Sequence, residues 1–346
     1  MKLLKFLGIS LVIITSLAVF LLYESDVPTG VIDAKYTSPA SQFLDLGAEG
    51  LIHYRDEGSR RNDVVVLLHG SNASLHTWEP WVRRLIDRYR VISLDFPAHG
   101  LTGAVESGRY STASYVEVIE QLMEHLDIKH FVLGGNSMGG RIAWQYTLEN
   151  PDQVDALVLV AASGLAAWRE TRPDDAGNGV LAFSLLGKPW FRFFAAKLDP
   201  YYLIEQGLAS AYNHSDVVND ELIMRYYDLH LREGTRVATL ARFGQRRKSD
   251  NPDLSEITAP TLLMWGKADP LISMATARQF EAAIPNTTTA YYENVGHIPM
   301  EEIPDRSAND LRAFLDSLDP DEPDEIVPDN AVPADTDAVD TGPDRP

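Results

Sequence analysis

Hydrophobic residues come in two rhythms along most of this chain. Val64-Val65-Val66-Leu67-Leu68 is an unbroken β-branched and aliphatic run. Such a run lacks the polar positions of a half-exposed strand and fits a strand buried on both faces of a parallel sheet. The stretches at 51–55, 90–95, 131–134, 156–161, 260–266 and 288–295 also read as strands. Between them, 78–88, 112–126, 275–283 and 303–318 have helical spacing. In the second of these, Tyr115, Val118, Ile119 and Leu122 share one face. Alternating strands and helices predict an α/β fold, a mostly parallel twisted sheet with helices on both faces.

The rhythm breaks at Gly164. From there to 249 no buried strand is evident, only aromatic-rich helix-like pieces at 180–194, 202–212, 220–232 and 236–243. An insertion of that length between two sheet strands predicts a helical cap, 164–249, over the strand ends where open α/β sheets bind ligands. The core is then 49–163 joined to 250–318.

The two ends differ from this core. Residues 6–23 are uncharged and mostly apolar, with Lys2 and Lys5 before them and Glu24 and Asp26 after. About 18 such residues nearly span a hydrocarbon layer of roughly 30 Å. The charge asymmetry predicts an N-terminal transmembrane helix within 1–24 and an exported remainder, periplasmic or extracellular. A cleaved signal peptide is the alternative, with Ser16-Leu17-Ala18 as a possible cleavage site, but the apolar run continues to Leu22. Residues 25–48, with Pro28 and Pro39, read as an irregular spacer. Residues 319–346 are acidic and proline-rich, the composition of a disordered tail.

A net charge of -20 argues against nucleic acid as a partner, since phosphates would go unneutralised. The absence of cysteine excludes disulfides, thiolate metal sites and a thiol nucleophile.

The candidate chemistry centres on Gly134-Gly135-Asn136-Ser137-Met138-Gly139-Gly140, between a predicted strand and a predicted helix. A serine at a sharp strand-to-helix turn projects its hydroxyl above the sheet, and flanking glycines allow the close approach that such a turn requires. The Met138 N–H, opening the helix, can face developing negative charge. A serine needs a base, and His297 in Val295-Gly296-His297 lies just past the last strand. Its partner would be a carboxylate, and Asp269 in Gly266-Lys267-Ala268-Asp269-Pro270 follows the preceding strand. A second oxyanion donor is expected just after His69-Gly70, at the Ser71 N–H. His69 and His99 are expected to be structural.

His69-Gly70, Asp95-Phe96-Pro97-Ala98-His99-Gly100, the Ser137 motif, Gly266-Lys267-Ala268-Asp269 and Gly296-His297 occur in the order found in the α/β-hydrolase superfamily. From Gly50 to Leu318 the chain resembles that family. The resemblance implies a serine hydrolase with Ser137, His297 and Asp269 as its triad, no metal or cofactor, and a small or medium hydrophobic ester as substrate. The aromatic cap residues Phe183, Trp190, Phe191, Phe193, Phe194, Tyr201 and Tyr202 would then form an apolar acyl pocket. The Asn136-Ser137-Met138-Gly139-Gly140 variant also resembles hydrolases of carbon–carbon bonds in ring-fission diketo acids. There a cap arginine such as Arg192 would hold the substrate carboxylate. The Ile298-Pro299 that follows His297 is closer to esterases. A third reading is a non-catalytic binding protein on the same fold.

Overall fold

The structure, a computed structural model, describes residues 22–165, 188–245 and 252–318. The apolar run up to residue 21, the first expected cap helix through residue 187 with Phe183, and the acidic tail all lie outside the described residues. So do the side chains of Trp190 and Phe193. Among the described residues, no helix is long and apolar enough to cross a membrane.

Eight strands form one sheet: β1 (Ser41–Asp45), β2 (Leu51–Glu57), β3 (Val64–Leu68), β4 (Arg90–Leu94), β5 (Phe131–Asn136), β6 (Val154–Val160), β7 (Thr261–Gly266) and β8 (Thr287–Tyr292). Their spatial order is β1-β2-β4-β3-β5-β6-β7-β8. The β1–β2 and β2–β4 pairings are antiparallel and every other pairing is parallel. The continuous apolar runs follow from this arrangement, because successive residues of a strand serve opposite faces. Val66, Leu68, Ile92, Leu94, Leu157 and Leu159 enter one core. It is closed by α3 (Thr112–His125), α4 (Met138–Glu149) and α9 (Met274–Ala283). Val65, Leu67, Val91, Val158 and Val160 enter the other. That core is closed by α2 (Glu79–Leu85) and α11 (Pro304–Asp316), with the fully buried Trp78 and Trp81.

Between β6 and β7 stand the cap helices α5 (Pro189–Ala195), α6 (Tyr201–Ala211), α7 (Asp220–Leu231) and α8 (Thr235–Gly244). The last three match the expected pieces to within about two residues, the usual scatter of helix ends.

The segment 25–48 is not the irregular spacer expected from its prolines. It holds α1 (Thr29–Tyr36) and the edge strand β1. Pro28 precedes the first helical residue, where a missing N–H costs nothing, and Pro39 lies in the turn between the two elements. The cap holds α1 in place. Arg232 donates from Nε and Nη2 to the two Asp33 oxygens (2.7 and 3.0 Å), and Lys35 Nζ and Tyr36 Oη donate to Asp228 (2.6 and 2.8 Å). Ile32 is buried against Leu101 and Leu229.

Arg236, 2 % exposed, secures the start of this segment. It donates to Asp26 Oδ1 from Nε (2.8 Å) and Nη2 (2.6 Å), to the Glu24 carbonyl (2.8 Å) and to the Leu198 carbonyl (3.2 Å). Removing one partner of a buried pair leaves the other charge stranded. Arg236→Leu should therefore lower unfolding stability by about 3 kcal/mol and expose the chain ahead of Thr29 to protease. Thermal unfolding and limited proteolysis would check this.

Candidate active site

Ser137 sits between β5 and α4 with φ 53° and ψ -110°. A non-glycine residue rarely adopts this backbone, and it persists only where the surroundings fix it. Here they do. The Ser137 N–H donates to the Val160 carbonyl (3.0 Å), and the Ser137 carbonyl accepts from the Ser163 N–H (3.0 Å) and Ser163 Oγ (3.1 Å). The turn is tight enough that a Cβ on Gly135 would lie 2.4 Å from the Gly139 backbone. One on Gly139 would lie 2.1 Å from the Leu68 carbonyl oxygen. The expectation that glycine is required at both positions holds, and it holds because of backbone.

His297 and Asp269 come together on the neighbouring loops. His297 Nδ1 and Asp269 Oδ2 are 2.7 Å apart in a buried pair. The other Asp269 oxygen, Oδ1, accepts the Leu271 and Ile272 N–H groups at 2.8 and 2.9 Å. A carboxylate acceptor at Nδ1 places the ring proton there and leaves the Nε2 lone pair able to accept a proton. The His297 loop is joined to the serine turn by Asn136 Nδ2, which donates to the His297 carbonyl (3.1 Å) and to the Val160 carbonyl (3.2 Å). Glu302 clamps the loop from behind, accepting the Gly296 N–H (2.8 Å) on Oε2 and the Ile298 N–H (3.1 Å) on Oε1. The cap holds its front, since the His297 N–H donates to the Ala211 carbonyl (2.7 Å) at the end of α6.

The His69-Gly70-Ser71 loop lies beside the turn. A Cβ on Gly70 would lie 3.3 Å from Ser137 Cβ. His69 braces this loop as expected. Its Nε2 accepts the Phe96 N–H (3.1 Å), so Nδ1 carries the proton and donates to the Gly70 carbonyl (2.8 Å). Burial lowers its pKa, so the ring stays neutral. His99 behaves likewise: Nδ1 donates to the Pro97 carbonyl (3.0 Å), and burial drives its pKa well down.

Three residues with evident structural consequences were not anticipated. Asn136 and Glu302 are two. The third is Arg242, buried on α8, which donates from Nη2 to Ser71 Oγ (2.7 Å) and Asn72 Oδ1 (3.0 Å), and from Nη1 to Met138 Sδ (3.5 Å). It thus touches both residues expected to supply the oxyanion donors. Nothing local in the sequence signals this, because the contact spans 171 positions. The aromatic residues expected to line a pocket are unevenly buried. Phe191 and Tyr201 are half-buried, whereas Phe194 and Tyr202 are exposed. Arg192 packs against Gly244 at the end of α8.

The same residue types meet a second time. Asp95 Oδ2 lies 2.7 Å from His53 Nδ1, and His53 Nε2 lies 2.8 Å from Ser41 Oγ. This serine lies at the start of an edge strand, and its oxygen also accepts the Ser38 N–H (3.1 Å). No glycine turn or helix start adjoins it. The chain of bonds ties β1 to the loop after β4, where Asp95 also accepts the Leu75 and Leu101 N–H groups (2.7 and 2.9 Å).

With fold and geometry in place, residues 63–304 match the family described as alpha/beta hydrolase fold. The chain belongs to this family and is a hydrolase of that fold. It is 27% identical over 275 residues to a pimeloyl-[acyl-carrier protein] methyl ester esterase of Aliivibrio salmonicida (78% of this chain, 97% of that one). It is also 27% identical over 260 residues to a 2-hydroxy-6-oxononadienedioate/2-hydroxy-6-oxononatrienedioate hydrolase of Cupriavidus pinatubonensis (73% and 86%). Among solved structures, a membrane phospholipase A described as a bacterial virulence factor shares the fold, with TM-score 0.67 at 23% identity over 92% of this chain and 99% of that one.

The buried neutral histidines carry a pH signature. His76, with Nδ1 at 2.9 Å from Ser74 Oγ and Nε2 at 3.2 Å from the Tyr36 carbonyl, has its pKa lowered by burial to about 4. Below the ordinary histidine pKa of about 6.5 the unfolded chain takes up protons that folded His69, His76 and His99 refuse. Stability should therefore be full above that value and fall as pH drops toward 4, by up to about 1.4 kcal/mol per pH unit for each histidine. Unfolding midpoints measured across this window would show the slope, and a flat profile would contradict it.

Proposed function

We propose that the chain hydrolyses small to medium hydrophobic esters through an acyl-enzyme, with Ser137 as nucleophile. The observation that carries this reading is the buried His297–Asp269 pair, tied through Asn136 to a strained Ser137 turn. Ser137 Oγ attacks the ester carbonyl as His297 Nε2 removes its proton. Asp269 stabilises the imidazolium that results. The oxyanion is held by the Met138 and Ser71 N–H groups. Collapse expels the alcohol, which takes the proton from His297. Water then attacks the acyl-enzyme, losing its proton to His297, and releases the acid and the Ser137 hydroxyl. The relative named as a methyl ester esterase supports the ester class.

In the same reading, Arg242 holds the Ser71-Asn72 backbone and Met138 in place and sets a positive charge near the developing oxyanion. Residues 1–24 act as a single-pass anchor with the catalytic domain on the exported side, a reading supported by the lysines before the apolar run and the acids after it.

A second reading, hydrolysis of a carbon–carbon bond in a ring-fission diketo acid, is favoured by the Asn136-Ser137-Met138-Gly139-Gly140 sequence and by the relative named as a dienedioate hydrolase. One turnover panel separates the two: p-nitrophenyl esters of graded chain length against a vinylogous diketo acid. We expect ester turnover to dominate and to fall by at least about 10⁴-fold in Ser137→Ala, in line with the loss of a triad member. Preference for the diketo acid would favour the second reading. Full ester turnover in Ser137→Ala would overturn the nucleophile assignment, and tight ligand retention without turnover would point to a binding protein.

Arg242→Met should lower kcat by about tenfold or more, less than the 10²–10³ typical of losing an oxyanion donor, with KM nearly unchanged. Arg242→Lys should restore part of the loss. Steady-state kinetics on one ester would show the split.

A further inference from the structure

The exposed aromatic and aliphatic residues of the cap have a neighbour that makes sense of them. Leu22 and Tyr23 are the last residues of the apolar run that begins at residue 6. They form a short antiparallel pairing with the cap. The Asp199 N–H donates to the Leu22 carbonyl (2.7 Å), the Glu24 N–H donates to the Lys197 carbonyl (3.0 Å), and Tyr23 bridges Leu198. Arg236 fastens the same junction through the Leu198 and Glu24 carbonyls. The exit of the run is thus bound rigidly to the cap.

Around this junction the cap turns apolar side chains to solvent. Tyr202 is 68 % exposed and Leu203 is 74 % exposed, both in the first turn of α6. Phe194, near the end of α5, is more than half exposed, and so are Leu22 and Tyr23 themselves. Leu198, also exposed, is the residue that Tyr23 bridges. One helical turn rises about 5.4 Å, so Tyr202 and Leu203 lie within about a turn of the Asp199 tie. Contiguous exposed apolar residues of this kind mark an interaction surface. Tyrosines among aliphatic residues, with the Lys197 ammonium beside them, partly exposed and 3.8 Å from Asp26 Oδ2, suit the boundary between headgroups and acyl chains.

We propose that this face, made by Leu22, Tyr23, Phe194, Leu198, Tyr202 and Leu203, rests in the surface of the lipid bilayer that takes the N-terminal run. The proposal builds on the anchor reading above and adds to it. An anchor alone would leave the domain free to tumble on its tether, whereas the bonded junction and the apolar face fix which side of the cap meets lipid. The domain then lies with α5 and the start of α6 at headgroup depth. The C-terminal end of α8, which meets Arg192 of α5 and carries Arg242, lies next to that layer.

The chain has no cysteine, so single labels can be introduced without background. Full-length Leu203→Cys and Tyr202→Cys proteins, carrying an environment-sensitive fluorophore, would be reconstituted into phosphatidylethanolamine–phosphatidylglycerol vesicles with a fraction of acyl-brominated lipid. Arg61→Cys serves as control, since Arg61 is exposed ahead of β3, at the strand ends opposite the cap. The proposal expects bromolipid quenching at 202 and 203 and none at 61. The double variant Tyr202→Glu with Leu203→Glu should hydrolyse a vesicle-embedded ester about tenfold more slowly at unchanged turnover of a water-soluble ester, as interfacial binding scales with buried apolar area. Probes that stay open to aqueous iodide while the protein floats with the vesicles would overturn the proposal and leave the anchor standing. Failure to float would overturn both. Energy transfer between Leu203 labels on separate chains would assign the face to a second copy instead. The quenching readout needs no turnover, so it stands whether or not the ester assignment survives.

Discussion

The centre of the molecule is held by a backbone contact that leaves no room for a methyl group. Helix α4 comes so close to β5 and to the end of β3 that Gly135 and Gly139 face carbonyl and amide atoms at 2.1–2.4 Å from where a Cβ would stand. That approach forces the chain through the positive φ of Ser137 and aims the start of α4 at the space above the sheet. Strain of this kind costs of order 1–3 kcal/mol. It is tolerated because both faces of the sheet are filled by side chains from the same strands, one core against α3, α4 and α9 and the other against α2 and α11. The apolar runs and the serine turn are therefore parts of one arrangement.

The cap is joined to this centre by apolar packing, with Leu208, Tyr212, Leu222 and Ile223 in one core and Ala238 in the other, and by a few polar contacts. Backbone carbonyl Ala211 meets the His297 N–H, Arg242 reaches the Ser71-Asn72 loop, and Arg225 of α7 approaches Glu301 and Glu79 on the core side at 3.4 and 3.9 Å. Burial raises the Glu301 carboxyl pKa, opposed by Arg225 and by the Thr77 hydroxyl. Displacement of the cap would therefore disturb both the His297 loop and the Ser71-Asn72 loop.

The parts of the fold and site that were legible in the sequence are those with local signals. Buried parallel strands announce themselves as unbroken apolar runs, and Ser137 and Asp269 each follow such a run, whereas His297 follows the half-exposed edge strand β8. The parts that were not legible depend on distant partners. Strand β1, Ser-Gln-Phe-Leu-Asp, is an edge strand with a mixed burial pattern and owes its place to pairing with β2. Helix α1 has eight residues and only Ile32 buried, and it depends on Arg232 and Asp228 nearly two hundred positions away. The cap aromatics misled for the opposite reason. Their apolar character was plain, but whether Tyr202 faces a pocket or solvent depends on where α6 starts, at the Tyr201 N–H that donates to Asp199 Oδ1 (2.9 Å).

Charge balance at the site follows from the same geometry. The chain carries a net charge of -20, yet the oxyanion of the proposed reaction would require positive potential beside Ser137. Two carboxylates near the site are satisfied locally: Asp269 by His297 and two backbone N–H groups, Asp95 by His53 and two others. The surrounding histidines are held neutral, with Arg242 among the causes that lower the pKa values of His69 and His99. A guanidinium thus sits beside the Ser71-Asn72 loop in a buried setting, where its field is screened far less than in water. The oxyanion of the proposed reaction would therefore meet a buried positive charge in a chain whose overall charge is strongly negative.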